Sequence, residues 1–163
     1  MTTTTREVVQ ATMMCSFLLI VKFIVCLIFQ GGAKGKAGLR APEDAGLVSK
    51  KAGWTDAQSF GGHGSAEAIE SARRWDRIIM NDLENIPFAL IMAWGSVISG
   101  VGGDPESRAQ AFIAFLIFYT VSRILHTIAF IFGMQPWRTV FWTTALVSMF
   151  IFSVIGLVAG FED

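Results

Sequence analysis

The feature that most constrains this chain is the grouping of its apolar residues into long runs. The runs cover residues 13–29, 86–101, 109–132 and 140–161, and the basic residues inside them are Lys22, Arg123 and His126. About 20 apolar helical residues cross the hydrocarbon layer of a bilayer, where the backbone must satisfy its own hydrogen bonds. The pattern therefore predicts an all-α membrane protein with four transmembrane helices in one domain, residues 1–163, with spans at about 11–30, 76–100, 109–132 and 137–161.

Composition supports this class. Of the 163 residues, 53% are hydrophobic and 16% are charged, and 14 Phe and 5 Trp stand against 1 Tyr. Aromatic residues of this kind suit a surface in contact with lipid. The formal net charge is zero, so nothing indicates binding to nucleic acid. A signal peptide is the alternative for the first run, but Lys22 within it and the lack of a following Ala-x-Ala site favour an uncleaved helix.

The polar segments predict the connections and the orientation. Residues 1–12 read as a polar tail and residues 31–65 as a glycine-rich, charged loop, with Ser65 as the N-cap of the second helix. Lysine and arginine concentrate in the first connection, and Arg138 follows the third. The positive-inside rule then predicts that connections one and three are cytoplasmic and that both termini lie on the other side.

The second helix carries an unusual polar face where its apolar part begins. Arg77, Asn81 and Glu84 fall at i, i+4 and i+7, so they share one face of a helix. Polar groups that enter a membrane must be matched by other polar groups, or their burial is very unfavourable. Pro87 follows directly and is expected to kink the helix.

A matching polar stripe lies on the third helix. Tyr119, Arg123, His126 and Phe130 fall at i, i+4, i+7 and i+11, with Thr127 beside them. Arg123 is a candidate partner for Glu84 or Asp82, and Lys22 of the first helix is another candidate for such pairing. Two interpretations stay open: ion pairs that only hold the helices together, or a ligand site, which is the more usual meaning of such groups in a membrane.

The start of the fourth helix favours an anion. Pro136, Arg138 and Thr139 stand in its first turn, where free backbone N–H groups and a guanidinium together attract a carboxylate or thiolate. Neither Cys15 nor Cys26 is placed to be that thiol, so it would come from a ligand. The alternative is that Arg138 only anchors the helix among lipid headgroups. No residue spacing indicates a metal site.

These motifs together resemble a known family. The segments Arg77-x-x-x-Asn81-Asp82-Leu83-Glu84-Asn85, Arg123-Ile124-Leu125-His126-Thr127 and Pro136-x-Arg138-Thr139, with Pro42-Glu43-Asp44, closely resemble the MAPEG family of membrane-associated proteins in eicosanoid and glutathione metabolism. The resemblance covers nearly the whole chain and is nearest the microsomal glutathione S-transferase and glutathione-dependent prostaglandin E synthase branches. It implies a homotrimer of four-helix protomers that binds glutathione between neighbours near the cytoplasmic side.

The resemblance also implies roles for individual residues. Arg138 would stabilise the glutathione thiolate, beside Thr139, which replaces a Ser of the synthase branch. Lys34 or Lys36 would assist from the first connection. The residues implied to hold glutathione are Lys34, Asp44, Arg77, Asn81, Glu84, Arg123, His126, Thr127, Phe130 and Arg138.

The expected function is transfer of glutathione to lipophilic electrophiles that enter from the bilayer, with glutathione peroxidase activity as a further expectation. The alternatives are a glutathione-dependent prostaglandin E synthase and a lipid-binding scaffold without catalysis. Ile79 replaces a common His, Met80 differs from the Arg of the synthase branch, and Phe130 replaces a Tyr. The expected location is the endoplasmic reticulum or another intracellular membrane, with the glutathione site facing the cytoplasm.

Overall fold

The chain forms four long helices in the residues that the computed structural model describes, which are 3–41, 43, 64–103 and 105–161. They are α1 (Thr3–Lys36), α2 (Ala66–Ile98), α3 (Glu106–Ile131) and α4 (Gln135–Ala159), and no strand occurs in these residues. Helices α1, α3 and α4 are long and apolar enough to cross a membrane. The predicted all-α membrane fold is confirmed, and the chain is an integral membrane protein.

Helix α2 is not among the three candidate spans, although four spans were predicted. The reason is that its charged residues continue as far as Glu84, so that the uncharged part extends only from Asn85 to the helix end at Ile98. At a rise of 1.5 Å per residue this part covers about 20 Å, less than the hydrocarbon layer. Membrane crossing by residues 76–100 stays a prediction.

Helix α1 extends further at both ends than the sequence indicated. The predictions of a polar tail over residues 1–12 and of a loop from residue 31 were wrong, because α1 covers Thr3–Lys36. At the start, the hydroxyl of Thr12 donates to the carbonyl of Val8 at 2.8 Å, so a polar side chain is satisfied within the helix. At the end, Gly38 adopts a φ of 69°, and Leu39 N–H donates to the carbonyl of Lys34 at 2.9 Å. This left-handed glycine terminates the helix.

The other helix boundaries follow the predicted signals closely. Ser65 caps α2, because its hydroxyl accepts a hydrogen bond from Ala68 N–H at 3.2 Å. Pro136 stands in the first turn of α4 as predicted. Helix α2 is continuous through Pro87, and the kink expected there stays a prediction.

The chain divides into two compact units, of which one comprises Met1–Lys22 and Leu83–Asp163. In this unit α3 and α4 pack along each other, and Phe152 lies edge-on to both Phe112 and Tyr119, with ring centroids 5.9 and 6.0 Å apart. The core also contains small residues such as Ala89 and Ala93, which permit close helix packing.

Small and hydroxylated residues join α2 to α4 within the same unit. The hydroxyl of Ser99 donates to the carbonyl of Gly156 at 2.9 Å, and a side chain at position 156 would overlap Ser96. Helix α2 also contacts α1, where Trp94 Nε1 of α2 donates a hydrogen bond to Ser16 Oγ of α1 at 3.2 Å. These cross-helix contacts replace the hydrophobic driving force that is missing between helices in lipid.

The second unit is Phe23–Asp82, in which the end of α1 contacts the first half of α2. The rings of Phe29 and Trp75 stack with centroids 5.3 Å apart and planes at 8°. One carboxylate oxygen of Asp76 accepts hydrogen bonds from Gln30 at 2.7 Å and Lys34 at 2.9 Å. A stacked aromatic pair and one shared acceptor thus hold the two segments together.

Candidate functional site

Helix α3 buries the polar stripe that the sequence predicted. Arg123 is 0% exposed, His126 is 4% exposed and Thr127 is 5% exposed, and Tyr119 is also fully enclosed. The i, i+3 and i+4 spacing places the three polar residues on the same side of the helix. Ionisable groups are rarely enclosed in this way at membrane depth, and where they are they commonly mark a functional site.

The hydroxyl of Thr127 is a candidate contact for a polar ligand. It is buried, and no hydrogen-bond partner for Thr127 Oγ1 is found in the part of the chain that the structure describes. A threonine in a helix can donate to the carbonyl four residues earlier, as Thr120 does to Leu116 at 2.9 Å. An unsatisfied buried hydroxyl costs about 1–3 kcal/mol, which a bound polar group would remove.

Three of the predicted site residues meet at the junction of α3 and α4. The rings of His126 and Phe130 lie edge to face with centroids 5.8 Å apart. The guanidinium carbon of Arg138 lies 4.5 Å from the centroid of the same Phe130 ring. His126, Phe130 and Arg138 therefore form a continuous series of contacts from the end of one helix to the start of the next.

The turn between α3 and α4 makes this contact possible. Gly133 adopts a φ of 68°, and Met134 N–H donates to the carbonyl of Ala129 at 2.9 Å. The left-handed glycine reverses the chain directly after α3, so that the first turn of α4 returns beside the last turn of α3. The sequence contained the signal in Gly133 and Pro136, but the contact between Phe130 and Arg138 was not predicted.

Arg138 lies where an anion is favoured. It is partly buried in the first turn of α4, whereas Thr139 is exposed. The partial positive charge of a helix N-terminus and the guanidinium act in the same direction on an anionic group placed between them. The geometry can hold a carboxylate or a thiolate there.

The predicted face of α2 points outward from the single chain. Arg77 and Glu84 are exposed and Asn81 is partly buried. The adjacent side of the helix carries Asp82, which is 1% exposed, and Asn85, which is 9% exposed. Asn85 was not predicted as a candidate site residue, and Asp82 was predicted only as an ion-pair partner. Their i, i+3 spacing was the available signal.

The remaining predicted residues belong to the first connection. Lys34 lies in the last turn of α1, not in a loop as expected, and its ammonium group contacts Asp76 at 2.9 Å. Both side chains remain more than a third exposed, so this pair contributes little to stability. Asp44 and the neighbouring Pro42 lie outside the described residues.

A groove of about 190 Å³ lies between α2 and α4. Its lining residues on α4 begin at Ser153, which the helical rise places more than about 20 Å from Arg138. This groove is therefore too distant to hold an electrophile that reacts beside Arg138. The lining residues are Met92, Gly95, Ser96, Ser99, Ser153, Gly156 and Leu157.

The fold and these buried polar residues define a class of protein: a helical, multi-pass membrane protein with ionisable residues buried along α3. The MAPEG family model matches residues 11–158, and the chain belongs to the MAPEG family. Members of this family use glutathione as a substrate or cofactor and include glutathione transferases and related enzymes. The function is accordingly of the glutathione-related transferase or isomerase type.

No curated protein and no solved structure matched the chain.

Proposed function

We propose that the chain is a glutathione transferase that joins glutathione to lipophilic electrophiles, with glutathione peroxidase activity as a second reaction. The observation that carries the proposal is the placement of Arg138 in a MAPEG chain. Its guanidinium lies at the N-terminus of α4 and against the ring of Phe130, which also contacts the buried His126. This is an arrangement that favours the anionic form of a bound thiol.

In the proposed reaction the thiol of glutathione first loses its proton to solvent. Arg138 stabilises the resulting thiolate, and each unit by which the thiol pKa falls is worth about 1.4 kcal/mol. The sulfur then attacks the electrophilic carbon, a carbon–sulfur bond forms, and the leaving group departs with its bonding electron pair. Holding both reactants together supplies a further part of the acceleration.

Glutathione is proposed to be held by a larger set of polar residues. Its two carboxylates suit the guanidinium groups of Arg77 and Arg123, and its ammonium suits Glu84. The buried Thr127 hydroxyl supports this assignment, because it lacks a hydrogen-bond partner among the described residues. The other residues proposed to contribute are Lys34, Asp44, Asn81 and His126, with Thr139 beside the thiolate and Phe130 acting through its contact with Arg138.

The proposed assembly is a homotrimer in the endoplasmic reticulum or another intracellular membrane. Its glutathione sites lie between neighbouring chains and face the cytoplasm. The support is that Arg77 and Glu84 are exposed in the single chain, which is unfavourable for charged groups close to lipid. Membrane lipid surrounds the assembly and delivers the hydrophobic substrate.

The test of Arg138 is turnover of glutathione with an aryl chloride by the purified protein in detergent. Arg138→Ala is expected to lower kcat/KM by at least about tenfold, because it removes a charge that is aimed at the reacting anion. Arg6→Ala, which changes an exposed arginine of α1, serves as the control and should retain the activity. Equal rates for all three proteins would contradict the role of Arg138.

Glutathione binding alone distinguishes the proposed transferase from a lipid-binding scaffold. Calorimetry with glutathione in lipid nanodiscs is expected to show binding by the wild-type protein. A scaffold without catalysis would bind lipid and give no heat with the tripeptide. A prostaglandin E synthase would bind glutathione and also convert a prostaglandin endoperoxide, and this conversion is the measurement that identifies it.

A further inference from the structure

The contact between Phe130 and Arg138 brings together two residues that are eight positions apart in the sequence, on different helices. The distance from the guanidinium carbon to the ring centroid is 4.5 Å, well inside the range of about 6 Å over which a cation is attracted to an aromatic face. The guanidinium is therefore held at a defined place by the end of α3 and not only by its own helix.

The Phe130 ring is itself fixed from the other side. His126 precedes it by one turn, is 4% exposed, and meets the ring at an interplanar angle of 65°. Such edge-to-face pairs contribute beyond their buried area. The ring therefore has a restricted orientation when it meets the guanidinium.

An aromatic face holds an arginine differently from a carboxylate. A carboxylate would accept N–H donors of the guanidinium and cancel its charge. A ring face has no opposite charge and no lone pair, so it leaves the guanidinium charge uncancelled. In the described residues, the Phe130 ring is the side-chain partner found for Arg138. The guanidinium is thus positioned while its positive charge stays available to an anion.

We propose that Phe130 is a positioning residue that acts through Arg138, holding the guanidinium by its ring face so that its donors meet the glutathione thiolate. This inference rests on the proposed function of Arg138. The resemblance places a Tyr at this position, and the hydroxyl is absent here. The holding role therefore belongs to the aromatic face alone.

The sharpest test replaces Phe130 with phenylalanines that carry increasing numbers of ring fluorines. Fluorination weakens the negative face of the ring and nearly preserves its shape, so the protein should fold as before. The readouts are kcat/KM with an aryl chloride and the ultraviolet absorbance of the bound thiolate as a function of pH. We expect kcat/KM at neutral pH to fall stepwise, by about three- to tenfold in total. The thiolate titration should also move to higher pH by at least about half a unit.

Conventional substitutions give an independent measurement. Phe130→Leu removes the ring face and should reproduce the losses, whereas Phe130→Tyr keeps the face and should retain both the activity and the titration. Phe118→Leu, a change at an exposed phenylalanine of the same helix, is the matched control and should have no effect. A tyrosine variant that behaves like the leucine variant would overturn the inference.

A double-substitution cycle separates action through Arg138 from direct contact with glutathione. If Phe130 acts through Arg138, Phe130→Leu has no further effect on the titration in an Arg138→Ala protein. Equal effects of Phe130→Leu in both backgrounds would overturn the inference and leave the proposed function intact. Wild-type protein that neither binds glutathione nor forms thiolate would instead contradict the proposed function itself.

Discussion

Arg123 is the largest side chain that is completely enclosed among the described residues. It lies one turn before Thr127 on the same face of α3, so a charged group and a buried hydroxyl without a partner among the described residues are neighbours. A buried charge in a membrane helix has to be matched by other polar groups. This combination supports the interpretation that a polar ligand, and not packing alone, completes this face of α3.

The substitution Thr127→Val tests whether a polar ligand contacts this face of α3, because it removes one hydroxyl. We expect the free energy of unfolding to stay unchanged or to rise by about 1 kcal/mol, because an unsatisfied buried hydroxyl is removed and the shape is kept. Glutathione affinity should fall by about fivefold. Thermal unfolding in detergent and calorimetry measure the two effects.

The matched control is Thr120→Val on the same helix, where the hydroxyl donates to the Leu116 carbonyl. This variant should lose about 1 kcal/mol of stability and bind glutathione normally. A Thr127→Val protein that is destabilised and still binds glutathione like the wild type would show that the hydroxyl has a structural role.

The sequence predicted the buried face of α3 but not which polar face of α2 turns inward. On α3, the series Arg123, His126 and Thr127 lies within an apolar run, and its ionisable residues share one face. On α2, both the Arg77 face and the Asp82 face are polar, and the helical period does not decide between them. The Phe130–Arg138 contact depends on the left-handed backbone of Gly133, which residue spacing does not describe.

At the scale of helices, α2 and α4 approach closely because position 156 has no side chain. An added Cβ there would overlap the side chain of Ser96, and the carbonyl of Gly156 itself accepts a hydrogen bond from the Ser99 hydroxyl. The ends of the helices near such contacts were predicted to within a few residues, because glycine and proline residues mark helix ends locally. Helix α1 was predicted too short, because its ends depend on contacts such as that of Gln30 and Lys34 with Asp76.

Gly156→Ala is expected to lower the free energy of unfolding by about 1–3 kcal/mol, since the two helices must separate to admit a methyl group. Gly95→Ala is the control, because no atom lies within 4 Å of a Cβ added there. It should change stability by less than about 1 kcal/mol, in the stabilising direction. Thermal unfolding in a mild detergent compares them, and equal losses in both variants would contradict the close packing of α2 and α4.

At the scale of the whole molecule, the outward-facing charges are the feature that a single chain leaves unexplained. Arg77 and Glu84 are exposed on α2, close to where its apolar part begins. Exposed apolar side chains elsewhere suit contact with lipid, such as Ile28 and Phe150, each 69% exposed. The two charged residues do not suit it, which is the reason to place them at a contact between chains in the proposed trimer.

Complementation tests a site shared between chains. Arg77→Ala and Arg138→Ala are each expected to remove most of the activity, because both side chains are proposed to contact glutathione. If one chain supplies Arg77 and its neighbour supplies Arg138, co-expressed mutant chains form mixed trimers with intact sites. Random mixing in equal amounts then restores about a quarter of the wild-type activity, because about a quarter of the interfaces in a cyclic trimer combine two unaltered sides. Native mass spectrometry verifies that the trimers are mixed, and mixed trimers without recovered activity would show that each site lies within one chain.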